Sequence, residues 1–105
     1  MRTKYLIIEN SAGGIGAAEA IREVDKQGTM VIISDEPYLA YSRPLIAKYL
    51  AEECSLEEML FRPTNFYTQN NITSLLGKRV ECLKLESRTV ELSNNENISW
   101  GKVNF

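Results

Sequence analysis

The sequence predicts an α/β fold in which a short parallel sheet with helices is joined to an antiparallel β-meander. Three observations carry that expectation. An apolar run at residues 4–8 leads into a glycine-rich turn and an amphipathic stretch. A second apolar run, residues 29–34, follows, and from Gly77 onward the pattern changes to alternation. Continuous apolar runs suit strands buried on both faces, and a helix between two of them implies parallel pairing with a right-handed crossover. Alternation suits strands with one wet face.

Taken in order, residues 4–8 form the first strand. Residues 14–26 read as a helix, because Ile15, Ala18, Ile21 (with Ala17) and Val24 recur at helical spacing while Glu19, Arg22, Glu23 and Lys26 take the other face. Gly28 supplies a C-terminal stop. Residues 29–34 are the second strand. Pro37 and Pro44 mark residues 35–44 as loop. A short helix is expected over 44–51, with proline in its first turn. Ser55 with Glu58 forms a capping box, so a second short helix should run to about Phe61. A further helical turn is expected over 63–69, ended by Asn70 and Asn71. Residues 72–76 make a third short strand. In the meander, 79–85 and 89–92 alternate, 94–97 turn, and 98–100 return as a strand. The whole is one domain, 1–105, with the βαβ core and helices in 1–76 and the meander in 77–105.

Composition narrows the function. A chain of 105 residues buries roughly two thirds of its unfolded surface, enough for one core. The net charge of −2 comes with no Lys/Arg cluster, so nucleic-acid binding is disfavoured. There is no histidine, which removes the commonest general base and the commonest metal ligand. Cys54 and Cys82 lie far apart and are expected to pack as small hydrophobes. The apolar run after the N-terminus is too short for a signal-peptide core or a membrane span. A cytoplasmic protein without a membrane or nucleic-acid partner is expected.

A strand, a glycine turn and a helix form the βαβ unit with which Rossmann-like folds hold the ADP half of a dinucleotide. The glycine pattern fits in two registers. One puts the three positions at Ser11, Gly13 and Gly16; the other puts them at Glu9, Ser11 and Gly14. The second agrees better with the physics. The tight turn follows the strand directly, and Gly14 stands where helix and strand come close. Glu36 then falls about twenty residues on, at the tip of the second strand, where an acid binds ribose hydroxyls. Spacing alone fits an exposed strand-end acid equally well, and many βαβ units carry glycines without a nucleotide.

The stretch as a whole is more specific. Tyr5 to Ile8, then Asn10 to Arg22, then Asp35 to Tyr38, then Tyr41 to Lys48 resemble the start of the FAD-dependent pyridine nucleotide-disulfide oxidoreductases, in the branch with rubredoxin, ferredoxin and nitrite reductase-type flavoproteins. The branch with a redox cysteine in the loop before Arg43 is not matched, because that loop has no cysteine. The resemblance implies the first part of an FAD domain, with FAD as cofactor. It implies that Asn10, Ser11, Ala12, Gly13 and Gly14 face the pyrophosphate, with helix N-terminal amides as donors. Glu36 would hold the adenosine ribose. Arg43, Pro44 and Lys48 would lie near the pyrophosphate and flavin, and Val80 would offer its backbone to the adenine. Read without the family, Arg43 is a loop charge, Lys48 a helix-surface lysine and Val80 an ordinary strand residue. No catalytic residue and no metal site are expected.

Two departures from the family shape the functional expectation. Glu9 stands where the family has glycine. A carboxylate about 4 Å from a diphosphate costs on the order of a few kcal/mol at an effective dielectric near 20. A helix N-terminus returns only about 0.3–1 kcal/mol to that carboxylate, so binding weakens roughly a hundredfold or more. Turned to solvent, Glu9 would cost only turn strain. The second departure is at residues 100–105, where the family continues into another parallel strand and an NAD(P)H domain. The expectation is therefore a truncated FAD-binding segment of an oxidoreductase, not catalytically complete alone. A homodimer or higher oligomer is expected to cover the open sheet; a further expectation is a half-enzyme completed by a separate NAD(P)H-binding chain. The competing expectation is a non-enzymatic remnant or interaction module that has lost the cofactor.

Overall fold

The computed structural model describes residues 1–10, 12–36, 51–52 and 65–104. Among them, six strands form one mixed sheet: β1 (Arg2–Ile8), β2 (Met30–Ser34), β3 (Ile72–Leu76), β4 (Val80–Lys84), β5 (Thr89–Leu92) and β6 (Asn97–Asn104). Helix α1 (Ala12–Val24) links β1 to β2, and the single turn α2 (Phe66–Gln69) precedes β3. The strand order is β3-β2-β1-β6-β5-β4. The first four of these run parallel, and β5 and β4 continue antiparallel. The expected α/β class holds, with parallel sheet and meander fused into one sheet.

The apolar runs follow from burial on two faces. Ile7 of β1 and Met30 and Ile32 of β2 pack with Ile15 and Ala18 of α1 and with Phe66, Tyr67 and Ile72. Leu6, Val31 and Ile33 point the other way, into a cluster with Val90, Leu92, Ile98 and Trp100. Each fully buried Leu, Ile or Val of this kind stabilises the fold by about 1.5–3 kcal/mol.

Helix α1 is shifted from its expected range. It begins two residues earlier and ends at Val24, which is 86% exposed rather than on the apolar face. The cause lies in the side chains that follow. The carboxylate of Asp25 accepts the amides of Gln27 (3.1 Å) and Gly28 (2.8 Å). The Arg22 guanidinium donates to the carbonyls of Asp25 (3.0 Å) and Gly28 (2.8 Å). Together they turn the chain out of the helix before Lys26.

Strand β3 lies where it was expected. Strand β6 departs from expectation, running on well past Trp100. Residues 97–99 pair antiparallel with β5, and residues 99–104 pair parallel with β1. The fourth parallel strand thus stands beside β1, and that edge is not bare. Gly101 permits the approach, since a Cβ there would lie 2.8 Å from the Lys4 carbonyl oxygen. Cys82 is a second correction, because it is exposed rather than packed. An irregularity between Val80 and Cys82 resets the alternation, placing Leu83 opposite buried Val90 and Cys82 opposite Glu91. The short helices expected over 44–51 and 55–61 and the packing expected of Cys54 lie outside the described residues, except that Ala51 and Glu52 sit in an exposed turn. Among the described residues no helix is long and apolar enough to cross a membrane, and no group of side chains forms a metal-binding cluster.

Candidate functional site

Parallel α/β sheets bind ligands outside the carboxyl ends of their strands. A cleft of about 280 Å³ opens there, lined by Ile8, Glu9 and Asn10 after β1, by Ile33 to Glu36 at the end of β2, and by Lys78, Arg79 and Val80. Three of the expected site residues, Asn10, Glu36 and Val80, meet in it.

Backbone hydrogen bonds explain why residues so far apart converge. The Gly77 amide donates to the Glu36 carbonyl (3.1 Å), and the Lys78 amide donates to the Ser34 carbonyl (2.9 Å). The β3–β4 turn is thereby clamped against the tip of β2, which brings Lys78 to Val80 over it. Gly77 adopts φ 71°, a conformation open to glycine at little cost. The Glu36 amide donates to Ser34 Oγ (3.2 Å), fixing the bend after β2.

On the opposite wall, Gly14 settles the register of the turn. A Cβ at Gly14 would lie 1.9 Å from the Glu9 carbonyl oxygen, so strand end and helix start touch there. A Cβ at Gly16 would meet nothing within 4 Å. The demanding glycine is Gly14, as the second register requires. Gly13 is exposed in the first turn of α1, and Ala12 begins the helix. Asn10 is held from across the fold, where the Tyr67 hydroxyl on α2 donates to Asn10 Oδ1. Ser11, Arg43, Pro44 and Lys48 lie outside the described residues.

Glu9 sits exposed at the mouth of the turn without positive φ, so glutamate is accommodated there without left-handed strain. Its Oε2 lies 3.9 Å from the place a Gly13 Cβ would take, over the first turn of α1. Among the described residues, the cleft's charged lining is Glu9, Asp35 and Glu36 with Lys78 and Arg79. Arg79 already pairs with Glu81 at 2.7 Å, which raises its pKa further above the usual value.

Sequence reasoning missed Ser34, Asp35, Lys78, Arg79 and Tyr67. The first four adjoin Glu36 or Val80 in the chain and could have been found by adjacency. Tyr67 carries no such signal, because its partner lies 57 residues away.

No protein-family model matches the chain. Among known proteins it is similar to a ferredoxin–NAD(P)(+) reductase of a Sphingomonas species, 36% identical over 93% of this chain and 24% of that protein. It is also 28% identical to the NADH-rubredoxin oxidoreductase of Clostridium acetobutylicum, over 96% of this chain and 26% of that protein. The crystal structure of NADH:rubredoxin oxidoreductase from that organism superimposes with a TM-score of 0.88 at 26% identity, covering 98% of this chain and 27% of the other. The chain spans about a quarter of the length of the curated relatives it matches. The chain belongs to the family of FAD-dependent ferredoxin and rubredoxin reductases, matching their N-terminal region.

Proposed function

We propose that this chain is the FAD-binding segment of an FAD- and NAD(P)H-dependent oxidoreductase, and that its cleft receives the adenosine end of the cofactor. The observation that carries this reading is the convergence of Asn10, Glu36 and Val80 at the carboxyl ends of β1 and β2, beside the tight Gly14 contact. Glu36 is the ribose acceptor and the Val80 backbone faces the adenine. The volume of about 280 Å³ lies just below the roughly 300–1,000 Å³ of drug-sized ligand pockets, which suits a nucleoside better than a whole dinucleotide. At this end the residues fit the cofactor. Near the expected diphosphate position stands the Glu9 side chain, its Oε2 3.9 Å from the place a Gly13 Cβ would take.

On this reading Asn10, Ser11, Ala12, Gly13 and Gly14 form the turn beside the diphosphate, and Arg43, Pro44 and Lys48 serve the diphosphate and flavin. These residues bind and orient the cofactor and perform no chemistry of their own. Flavin supplies electron transfer when bound. Hydride delivery from NAD(P)H draws on other parts of a reductase, in the same polypeptide or in a separate chain, and ferredoxin- or rubredoxin-type proteins are the matching electron partners. The setting is cytoplasmic.

Isothermal titration of FAD and ADP into the protein tests the reading. Saturable binding is expected, with Glu36→Ala weakening it about tenfold or more, since a hydrogen bond to a charged group contributes about 1.5–3 kcal/mol. No binding of FAD, ADP or adenosine would leave the alternative, a non-enzymatic remnant, which the position of Glu9 favours.

Self-association belongs to the same proposal. Strand β4 is an edge among the described residues, and Leu83 (36%) and Leu85 (64%) are exposed on or beside it. Light scattering at micromolar concentration should give a dimer mass or higher. A monomer mass would contradict the proposed homo-oligomer.

A further inference from the structure

We infer that Lys78 is the residue that reads the base: its ammonium donates a hydrogen bond to a ring nitrogen of the adenine while Glu36 takes the ribose. The inference deepens, and rests on, the adenosine reading of the cleft given above. It starts from two opposite charges that line the same cleft. Both Glu36 and Lys78 are half-buried. Their backbones are held side by side, the Gly77 amide on the Glu36 carbonyl (3.1 Å) and the Lys78 amide on the Ser34 carbonyl (2.9 Å). Yet among the described residues neither the Glu36 carboxylate nor the Lys78 ammonium has a hydrogen bond or an ion pair. A charge drawn partly out of water is costly unless something pairs with it. Two such charges of opposite sign, anchored at the backbone and open to one cleft, leave the pairing to a ligand. Arg79, also in the lining, does not compete, because Glu81 engages it at 2.7 Å.

The chemistry of the two groups divides the ligand between them. A carboxylate only accepts, so Glu36 takes donors, and the ribose hydroxyls supply them. An ammonium only donates, so Lys78 takes an acceptor. Lys78 stands two residues from Val80, which is half-buried with it on the cleft wall, and Val80 faces the adenine on this reading. The acceptor within reach of Lys78 is therefore on the base, at one of the ring nitrogens N1, N3 or N7. Ile8, Ile33 and Val80 give the cleft apolar surface that suits any flat base. The directional contact from Lys78 is what selects the edge of the base.

The test is calorimetric titration of adenosine and its 1-deaza, 3-deaza and 7-deaza analogues into the 105-residue protein and its Lys78→Met variant. Lys78→Met keeps the backbone amide that bonds Ser34, so the variant should melt at the wild-type temperature. One analogue should bind the wild-type protein about tenfold or more weakly than adenosine, as expected for a lost hydrogen bond from a charged donor. Lys78→Met should weaken adenosine by a similar factor and bring that analogue within about twofold of adenosine. Three equally tight analogues in the wild-type protein overturn the inference, whether or not the variant folds. So does a Lys78→Met variant that binds adenosine as tightly as the wild type, or that still rejects the same analogue. Each of these results leaves the adenosine cleft standing. Failure of the wild-type protein to bind adenosine overturns the cleft reading and this inference together.

Discussion

Single residues decide how β1 hands over to α1. Gly14 and Gly16 lie two positions apart in the same helix, yet only Gly14 abuts backbone, 1.9 Å from the Glu9 carbonyl oxygen for an added Cβ. Gly14→Ala should therefore destabilise by about 1–3 kcal/mol, as overpacking does. Gly16→Ala should stabilise by about 0.5–1 kcal/mol, because an open helical position favours alanine. Chemical denaturation of the two variants checks both signs, and equal effects would return the glycine register to the first alternative.

Asp25 is the other decisive residue. Its Oδ2 accepts from Lys4 Nζ (2.6 Å) and Tyr5 OH (2.7 Å), while Oδ1 accepts the Gln27 and Gly28 amides. The hydrogen bond from Lys4, then that from Tyr5, then the Gly28 and Gln27 amides hold its pKa well below the usual carboxylate range. A carboxyl whose folded pKa is depressed contributes stability above its ordinary value of 3.8 and loses it as pH falls through the folded value. Lys4 is shifted upward, mainly by Asp25, so its share is present below the ordinary lysine value of 10.5 and is lost as pH rises through the folded value. Asp25→Asn should lower the melting temperature near neutral pH, and the gap to the wild type should narrow below about pH 4. A gap independent of pH would show that the shape of the turn, not its charge, supplies the stability.

At the scale of elements, the strands that read clearly in the sequence are those buried on both faces. Leu6 and Ile7 serve opposite clusters, as do Val31 and Ile32, so β1 and β2 are continuous apolar runs. Strand β6 was legible only in part. Its alternation at 98–100 announces a meander strand, but the switch to a parallel partner depends on β1, nearly a hundred residues earlier, and on the close approach at Gly101. The end of α1 was misread for a related reason. Val24 keeps helical spacing, but the competing hydrogen bonds belong to Arg22 and Asp25, whose guanidinium and carboxylate bind backbone beyond the helix. Arg22 also donates to the Asn70 (2.8 Å) and Asn71 (3.3 Å) carbonyls, tying α1 to the turn before β3. Element α2 has one further task. The Tyr67 hydroxyl holds Asn10 in the turn. Tyr67→Phe should lower stability by about 0.5–1.5 kcal/mol, as for one lost intramolecular hydrogen bond, and by releasing Asn10 weaken ADP binding as well. A large loss of stability with unaltered binding would assign Tyr67 to the core alone.

For the molecule as a whole, the topology puts the cleft where three distant segments end together: β1 at Ile8, β2 at Ser34 and the β3–β4 turn at Lys78. Glycine spacing and the acid at Glu36 announced two of these walls. Of the third wall, Lys78 to Val80, only Val80 came from family likeness and none of it from a local pattern, because it depends on the clamp between Gly77 and Glu36. The central claim is that this cleft takes an adenosine group. The most direct measurement is an adenosine titration followed by amide chemical shifts across the backbone. The account predicts saturable shifts concentrated at residues 8–10, 34–36 and 78–80, with the remote meander turn at Asn94 and Asn95 unmoved. Shifts centred elsewhere, or none at millimolar adenosine, would contradict it.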